Sequence, residues 1–371
     1  MIRERVDFDA VLLGDGTVLA VGDSACDAAG ASDGSERAEL YDPITDTWTE
    51  VESLNKPRES FATVPLRDGT ALVAGGYNAE KVPFSSTRVF DASSRTWRDG
   101  DLLQEARAYP VMTTLADGRA LILGGYGVGH DFSNYLSTAE IYDPSSSSWT
   151  GAAALPARVR VINVISLTDG RALAVGFDLT DSEPVPTAMV FDPARNMWTR
   201  IDGSRYLGYE LVPTRDGGAL ALGGVDGGEL FGGNGSIVDL VSRLDPVSGG
   251  WVERPPMSTP RIGSQAAVLP DGRALVAGGA IHDEFLIDES GFRFVDIDKG
   301  RVLSSAEVFD PSIDRWTPVG NLLEPRKYGN LIVLADGSVL LMGGNASPSL
   351  HEDVDCSSRP LSSVERFYPG P

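Results

Sequence analysis

The sequence predicts an all-β fold of seven radially stacked, four-stranded sheets, a β-propeller, on three observations. Asp-Gly between two short apolar runs occurs seven times, starting at Asp15, Asp68, Asp117, Asp169, Asp216, Asp271 and Asp336, at spacings of 47 to 65 residues. Gly-Gly follows the second apolar run in most copies, and an aromatic-Asp-Pro follows after a variable stretch, as in "TLADGRALILGG…AEIYDPSSSSW". All six tryptophans (Trp48, Trp97, Trp149, Trp198, Trp251, Trp316) fall at one place in the repeat. A period near fifty marks a propeller or an array rather than one irregular core.

Each element has a local cause. Asp-Gly between apolar runs is a hairpin signal, on the expectation that both turn residues adopt positive φ. It joins an innermost strand to a second strand. Glycine at the end of the second strand, as at Gly343-Gly344, lets backbones approach closely. The third strand carries the aromatic before Asp-Pro, as in Glu39-Leu40-Tyr41-Asp42-Pro43. Asp-Pro opens the next turn, because proline presets φ and aspartate caps it. Tryptophan then enters the fourth strand, where its ring can pack between blades. A four-stranded unit cannot bury both faces alone, and radial stacking covers them.

The Gly-Gly, the Tyr/Phe-Asp-Pro and the Trp seven positions after the aromatic (Tyr41 to Trp48, Tyr142 to Trp149, Phe309 to Trp316) resemble kelch repeats over residues 5 to 369. The resemblance implies a seven-bladed kelch β-propeller of the kind found in bacterial kelch-repeat proteins, galactose-oxidase-like but without the copper ligands. It implies a single domain over 1–371, with blades near 5–54, 55–104, 105–155, 156–203, 204–258, 259–323 and 324–371. Two copies depart from the pattern: the fourth has Val175-Gly176-Phe177 for Gly-Gly, and the first has Gly22-Asp23. In the seventh, "VERFYPGP" supplies Glu365, Phe367 and Pro369 but no Trp, and only four residues precede Arg5. The expectation is a last blade of three strands, or a coding start placed downstream of the true one. The ring would close mainly by side-chain packing between blades seven and one.

Composition bounds the function. The chain has 371 residues, 42% of them hydrophobic, and an uninterrupted repeat, which argues for one domain despite the length. No apolar run approaches a membrane span, and the first 22 residues lack a signal-peptide core and cleavage site, so a cytoplasmic protein is expected. The net charge is −22, with four lysines (Lys56, Lys81, Lys299, Lys327). That argues against nucleic acid or anionic membrane as a partner, because phosphate binding needs cations. Partners expected instead are a small polar molecule or a protein, a basic one by charge, bound by a monomer. Cys26 and Cys356 fall in loops of blades one and seven, which adjoin only through ring closure. A disulfide would clasp that seam if their Cα atoms approach within about 7 Å, whereas a cytosolic protein keeps such thiols reduced.

The second-to-third-strand loops and the inter-blade links share one face, and these loops vary most in length, with the longest in blade six. Variable loops on a rigid scaffold are where specificity usually lies. All three histidines, His130, His282 and His351, lie in them, each followed by acid: Asp131, Asp283-Glu284, and Glu352-Asp353. Imidazole with carboxylate suits a divalent metal or acid–base work, so His282, His351, Asp283 and Glu352 are candidate ligands in adjacent blades. The other reading is three ordinary exposed histidines, with no cofactor. Six residues before each Asp-Gly stand Asp9, Ala62, Val111, Asn163, Glu210, Gln265 and Asn330. If this column faces the channel it forms a polar arc for a polar ligand, or lines a water-filled channel. Ten residues before Asp-Gly stand Arg5, Arg58, Arg107, Arg261 and Arg326. Their expected role is bonding link carbonyls or neighbouring-blade carboxylates, with Arg261 and Arg326 candidates for ligand contact.

Catalytic relatives can be compared residue by residue. Galactose oxidase uses two tyrosines, two histidines and a crosslinked cysteine around copper, and no matching set stands here. Nitrile-specifier proteins carry Glu-x-x-x-Asp-x-x-x-Asp/His for iron. Glu284 and Asp288 begin that spacing, and Phe292 occupies the last ligand position. No residues align with the sialic-acid mutarotases. Neither a phosphate-cradling loop nor a Gly-x-Ser-x-Gly elbow occurs. Two functions stay open: a ligand- or protein-binding propeller using the loop face, and an enzyme (a metal-assisted lyase, isomerase or hydrolase) acting on a small polar molecule at the channel mouth. His282, His351, Asp283, Glu352 and Asp9 would serve the second.

Overall fold

The computed structural model describes all residues except 23–35, 129–133, 182–183, 202–209, 227–235, 247, 283–284, 288–292, 296–299, 348–358 and 371. It is a seven-bladed propeller. Six blades are four-stranded antiparallel sheets in simple up-and-down order, and the seventh has three strands, Asn330–Val333, Val339–Met342 and Val364–Phe367. The innermost strands begin at Asp9, Ala62, Val111, Val159, Glu210, Gln265 and Asn330. Each touches the next and the last touches the first, closing a ring of seven. Among the described residues no helix is long and apolar enough to cross a membrane.

The core is divided rather than central. Seven hydrophobic clusters form, one at each interface between neighbouring blades. The second strands lie between two such clusters and read as unbroken apolar runs, such as Ala71–Ala74 and Ala120–Leu123, buried at every position. Tryptophan joins six of the seven interfaces. Trp149 of blade three is 5% exposed and packs with Val64, Leu72 and Leu103 of blade two. It sits opposite Tyr142 in the ladder, ring centroids 5.1 Å apart, as Trp97 sits opposite Phe90 and Trp316 opposite Phe309. The indoles of Trp97, Trp198 and Trp316 donate to Glu52, Ala153 and Pro255 carbonyls of the preceding blade, at 2.6, 2.8 and 2.9 Å.

The structure refines the sequence reading at three places. The Asp-Gly hairpins do not hold both turn residues at positive φ. Gly16 N–H donates to Leu13 O, Leu13 N–H donates to Thr17 O, and only Gly16 is left-handed (φ 86°). This is a type I turn closed by a glycine bulge, and it recurs at all seven Asp-Gly sites. Aspartate's part is to accept the backbone N–H two residues on, as Asp15 does from Thr17 at 3.0 Å. In blade four, where Gly-Gly is absent, the strands lengthen instead: Val159–Ser166, Ala172–Asp178 and Val185–Asp192, with a register shift between Val161 and Asn163. Finally, the seam is not held by side chains alone. Arg5 N–H donates to Leu361 O at 3.0 Å, Gly344 N–H donates to Arg5 O at 2.9 Å, and the Met1 ammonium donates to Ser362 O at 3.1 Å. Cys26 and Cys356 lie outside the described residues.

Trp149→Ala should lower unfolding free energy by about 3–5 kcal/mol, the usual loss for a buried aromatic. Urea denaturation measures it, and a loss under about 1 kcal/mol would contradict the wedge role.

Candidate functional site: the mouth of the central channel

Five blades carry the same buried arginine device. Arg5, Arg58, Arg107, Arg261 and Arg326 are at most 1% exposed. Each donates through one terminal nitrogen to the carbonyl of the first glycine after its own second strand: Gly22, Gly75, Gly124, Gly278 and Gly343. The same nitrogen reaches the carbonyl at the entry to the third strand, as in Arg107 to Thr138 O at 3.2 Å. The other terminal nitrogen of four of them meets a carboxylate: Glu39, Glu140, Glu307 and Glu365, at 2.8 to 2.9 Å. Those carboxylates also cap the incoming link, as Glu140 accepts the Gln104 N–H at 2.8 Å. Arg261 and Arg326 are therefore framework residues whose terminal nitrogens are turned to the blade, which replaces the ligand-contact expectation for them. Blade two holds Arg88 at the glutamate position. There Arg58 bonds Ser86 Oγ at 3.0 Å and lies over the Phe84 ring, and burial with the nearby Arg88 charge lowers its pKa to about 10.

The arginine carbonyls tie blade to blade. Gly76, Gly279 and Gly344 N–H groups donate to Arg107, Arg326 and Arg5 O of the following blade, at 2.9, 2.8 and 2.9 Å. This close crossing explains the glycine pair. At Gly278 (φ 67°) a Cβ would lie 2.4 Å from Arg326 O.

Two residues past each of these arginines the chain turns left-handed: Asp7 (φ 55°), Ser60 (φ 47°), Tyr109 (φ 51°), Gly263 (φ 62°) and Tyr328 (φ 52°). A tyrosine there carries steric strain that surrounding contacts must hold. Tyr109 N–H donates to Ser60 O at 2.9 Å and Tyr328 N–H to Gly263 O at 2.8 Å, so neighbouring blades link head to tail just before the innermost strands begin. These positions rim one end of the channel. The scaffold beneath them repeats, but the side chains do not.

At blades two and three the rim gathers aromatic rings. Tyr77, Tyr109, Tyr126 and Tyr135 stack in a chain with centroids 5.5, 5.4 and 4.7 Å apart. Tyr109 is 44% exposed at its centre. Tyr77 and Tyr109 hydroxyls are 3.1 Å apart, and Lys81 donates to Tyr77 Oη at 3.1 Å while pairing with Glu59 at 3.5 Å. Burial pushes both phenols well above their ordinary pKa, and the charges of Glu59 and Asp7 add to this at Tyr77 and Tyr109 respectively. The sequence pattern did not single out these tyrosines. For three of them the only signal was position: Tyr109 two residues after Arg107, and Tyr77 and Tyr126 directly after a Gly-Gly.

Six of the seven positions of the predicted column open the innermost strands, and Asn163 instead lies inside Val159–Ser166. The column's members serve different ends. Asn330 Oδ1 accepts Ala10 N–H at 3.3 Å and its amide donates to Phe8 O at 2.7 Å, so it staples blade seven to blade one rather than facing a ligand. Gln265 donates to its neighbour Ser264 O at 2.9 Å. Burial raises Asp9 to about 7, offset by hydrogen bonds from Thr63 of blade two and reinforced by Asp7. Burial alone raises Glu210 to about 8. Asn163 stands half-buried beside the blade-four register shift. On the rim of blade seven, burial lowers Lys327 to about 8.

The metal candidates are not brought into view. His130, His351, Asp283 and Glu352 lie outside the described residues, and of His282 only the backbone is described, ending the strand Ala280–His282. Among the described residues no three His, Cys, Asp or Glu side chains converge as metal ligands. The loops of blades five and six carry small hairpins of their own, Val225–Asp226 with Ser236–Ile237 and Ala280–His282 with Gly300–Val302.

A Kelch motif model matches residues 114–156, which is blade three from the end of its innermost strand past Trp149. Kelch-like protein 34 of Homo sapiens is 28% identical over 210 residues, covering 56% of this chain and 29% of that protein. Kelch-like protein terF of Aspergillus terreus is 25% identical over 183 residues, covering 47% and 36%. The chain is a seven-bladed β-propeller that carries a Kelch motif in blade three. The propeller spans about a third of the length of these relatives. Two solved structures share its fold across 98% of its length. One is a fungal alcohol oxidase of the AA5 family in complex with copper (TM-score 0.67, 19% identity, 74% of that chain), and the other is YjhT (TM-score 0.56, 15% identity, 95% of that chain).

The two raised carboxyls fix a pH dependence. A carboxyl whose folded pKa lies above its unfolded value binds more protons when folded. It therefore stabilises fully below the unfolded pKa and loses that contribution as pH rises through the folded one. For Glu210 the window runs from about 4.5 to about 8. Glu210→Gln should leave stability unchanged near pH 4.5 and raise it by on the order of 2 kcal/mol at pH 8.5, where the wild-type carboxylate is ionised in a half-buried site. Parallel pH profiles in urea denaturation would contradict the assignment.

Proposed function

We propose that this kelch propeller is a binding module that takes a protein partner on the loop face, and that it grips a cationic side chain at the rim of blades one to three. The observation that carries the reading is Tyr109, a half-exposed ring held in left-handed backbone between Tyr77 and Tyr126, in the field of Asp7, with Glu59 beside Tyr77. Strain kept at an exposed aromatic is a mark of a functional position. Aromatic faces with nearby carboxylates suit a guanidinium or ammonium group. A net charge of −22 would steer such a partner in.

A second reading rests on one observation. Asp9 and Glu210, at about 7 and about 8, hold protons near neutral pH at the start of the channel strands, which is the property a proton-transfer enzyme needs. On that reading a small polar molecule enters the channel, with a divalent metal on the blade-six and blade-seven loops where His282, Asp283, His351 and Glu352 stand.

Isothermal titration separates the two. An arginine-rich peptide should bind, an equally long glutamate peptide should not, and 0.5 M salt should weaken the complex. Tyr109→Gly removes the ring and relieves the backbone, and should weaken peptide binding by about tenfold without loss of stability. Equal binding of both peptides, or no effect of Tyr109→Gly, would sink the reading.

A further inference from the structure

In blades one, three, six and seven the glutamate of the arginine device does two jobs. One carboxylate oxygen accepts from the arginine at 2.8 to 2.9 Å. The other accepts the backbone N–H three residues before that arginine, from Ile2, Gln104, Ser258 and Leu323, at 2.7 to 2.9 Å. In blades three and seven the next N–H, of Glu105 and Glu324, reaches the first oxygen at 3.3 and 3.2 Å. One carboxylate thus joins the guanidinium to the incoming link. Glu39, Glu140 and Glu307 are at most 2% exposed there.

Blade two keeps the other bonds. Arg58 donates to Gly75 O and Ser86 O through one nitrogen, at 3.0 and 3.1 Å, and to Ser86 Oγ through the other, as Arg326 does to Ser363 Oγ. What changes is the sign of the charge at the glutamate position. Arg88 stands there, 7% exposed. It pairs at 2.6 Å with Asp99, its partner in the ladder, whose side chain is 78% exposed, and its Nε is buried without a hydrogen bond. Asn55 and Lys56 hold the link positions three and two residues before Arg58, and both are exposed. Among the described residues their N–H groups meet no acceptor. Lys56 is one of four lysines in a chain of net charge −22, and it adds a third cation to this one place.

We propose that blade two binds a small free carboxylic acid in its ionised form, of the acetate class, with one oxygen on the Arg58–Arg88 pair and the other on the Asn55 and Lys56 N–H groups. The ligand would stand where four other blades place a glutamate carboxylate. Guanidinium and backbone N–H donors together recognise a carboxylate through short, charge-assisted bonds. Two buried like charges are costly unless an anion compensates them, and Asp99 is one exposed carboxylate for two guanidiniums. The equivalent place is closed to within 2% exposure in three blades. That enclosure fits a free acid rather than a carboxylate tethered to a second protein. The site is separate from the tyrosine rim and stands whether or not the rim takes a partner.

Urea denaturation in sodium acetate, against sodium chloride at the same ionic strength, tests the site. Acetate should raise the wild-type midpoint, and the rise should saturate in the millimolar range, as binding to one site of the folded state requires. Chloride should not reproduce it. Arg88→Glu returns the carboxylate to the chain itself. Blade one already carries that exchange, with Glu39 facing Glu50 in the ladder. The midpoint of this variant in chloride should exceed that of the wild type, and its response to acetate should be at least about tenfold weaker. Line broadening of isotope-labelled acetate by the folded protein, lost in Arg88→Gln, reads the same site without unfolding. An equal rise in acetate and chloride, an undiminished acetate response in Arg88→Glu, or no line broadening by the wild type overturns the proposal.

Discussion

The buried arginine is the interaction on which the rest of the propeller depends. Its guanidinium gathers three chain segments of one blade, the glycine after the second strand, the entry to the third strand and the third-strand glutamate. Its own carbonyl receives an N–H from the blade before. A desolvated cation is tolerable only when paired and hydrogen-bonded, and in Arg107 the two terminal nitrogens meet that need while Nε stays buried without a hydrogen bond. The arrangement explains the glycine pair, which lets the next blade's carbonyl come close, and the left-handed residue two positions on, where the link turns into the channel strand. Blade four shows the alternative. Val159 and Met189 occupy the arginine and glutamate positions, both buried in the interface with blade three, and the strands there run on for seven or eight residues.

The fold was legible in the sequence because its signals repeat. One Asp-Gly or one tryptophan is weak, but seven and six in register leave a single architecture. Turn type was not legible, because Asp-Gly serves both a primed turn and a type I turn with a glycine bulge, and only the backbone bonds distinguish them. The three-stranded seventh blade could be read from "VERFYPGP", where tyrosine displaces the capping aspartate. The backbone bonds of the seam could not, since they join Arg5 to Leu361 across the whole chain length.

The site was half legible. The arginine column and the polar column were found by counting back from Asp-Gly, yet counting could not say which members were framework. Asn330 had to be seen bonding Phe8 and Ala10 to be known as a staple. The tyrosine chain was missed because its four members come from two blades and only Tyr77 and Tyr126, each directly after a Gly-Gly, share a place in the repeat. Repeats advertise what they hold in common, and recognition depends on what they do not share. The arginine framework frees the rim positions to differ, which is why Asp7, Ser60, Tyr109, Gly263 and Tyr328 can occupy one backbone conformation with unrelated chemistry.

The central claim is that the arginine and its glutamate act as one unit in each of the four blades that pair them. A double-mutant cycle in blade three tests it, using the residues that blade four has at these positions. Arg107→Val and Glu140→Met should each cost about 3–5 kcal/mol, since each leaves a buried charge without its partner. Together they should cost at least about 2 kcal/mol less than the sum. Additive losses, within about 0.5 kcal/mol, would show that the two side chains stabilise the blade independently and would contradict the account.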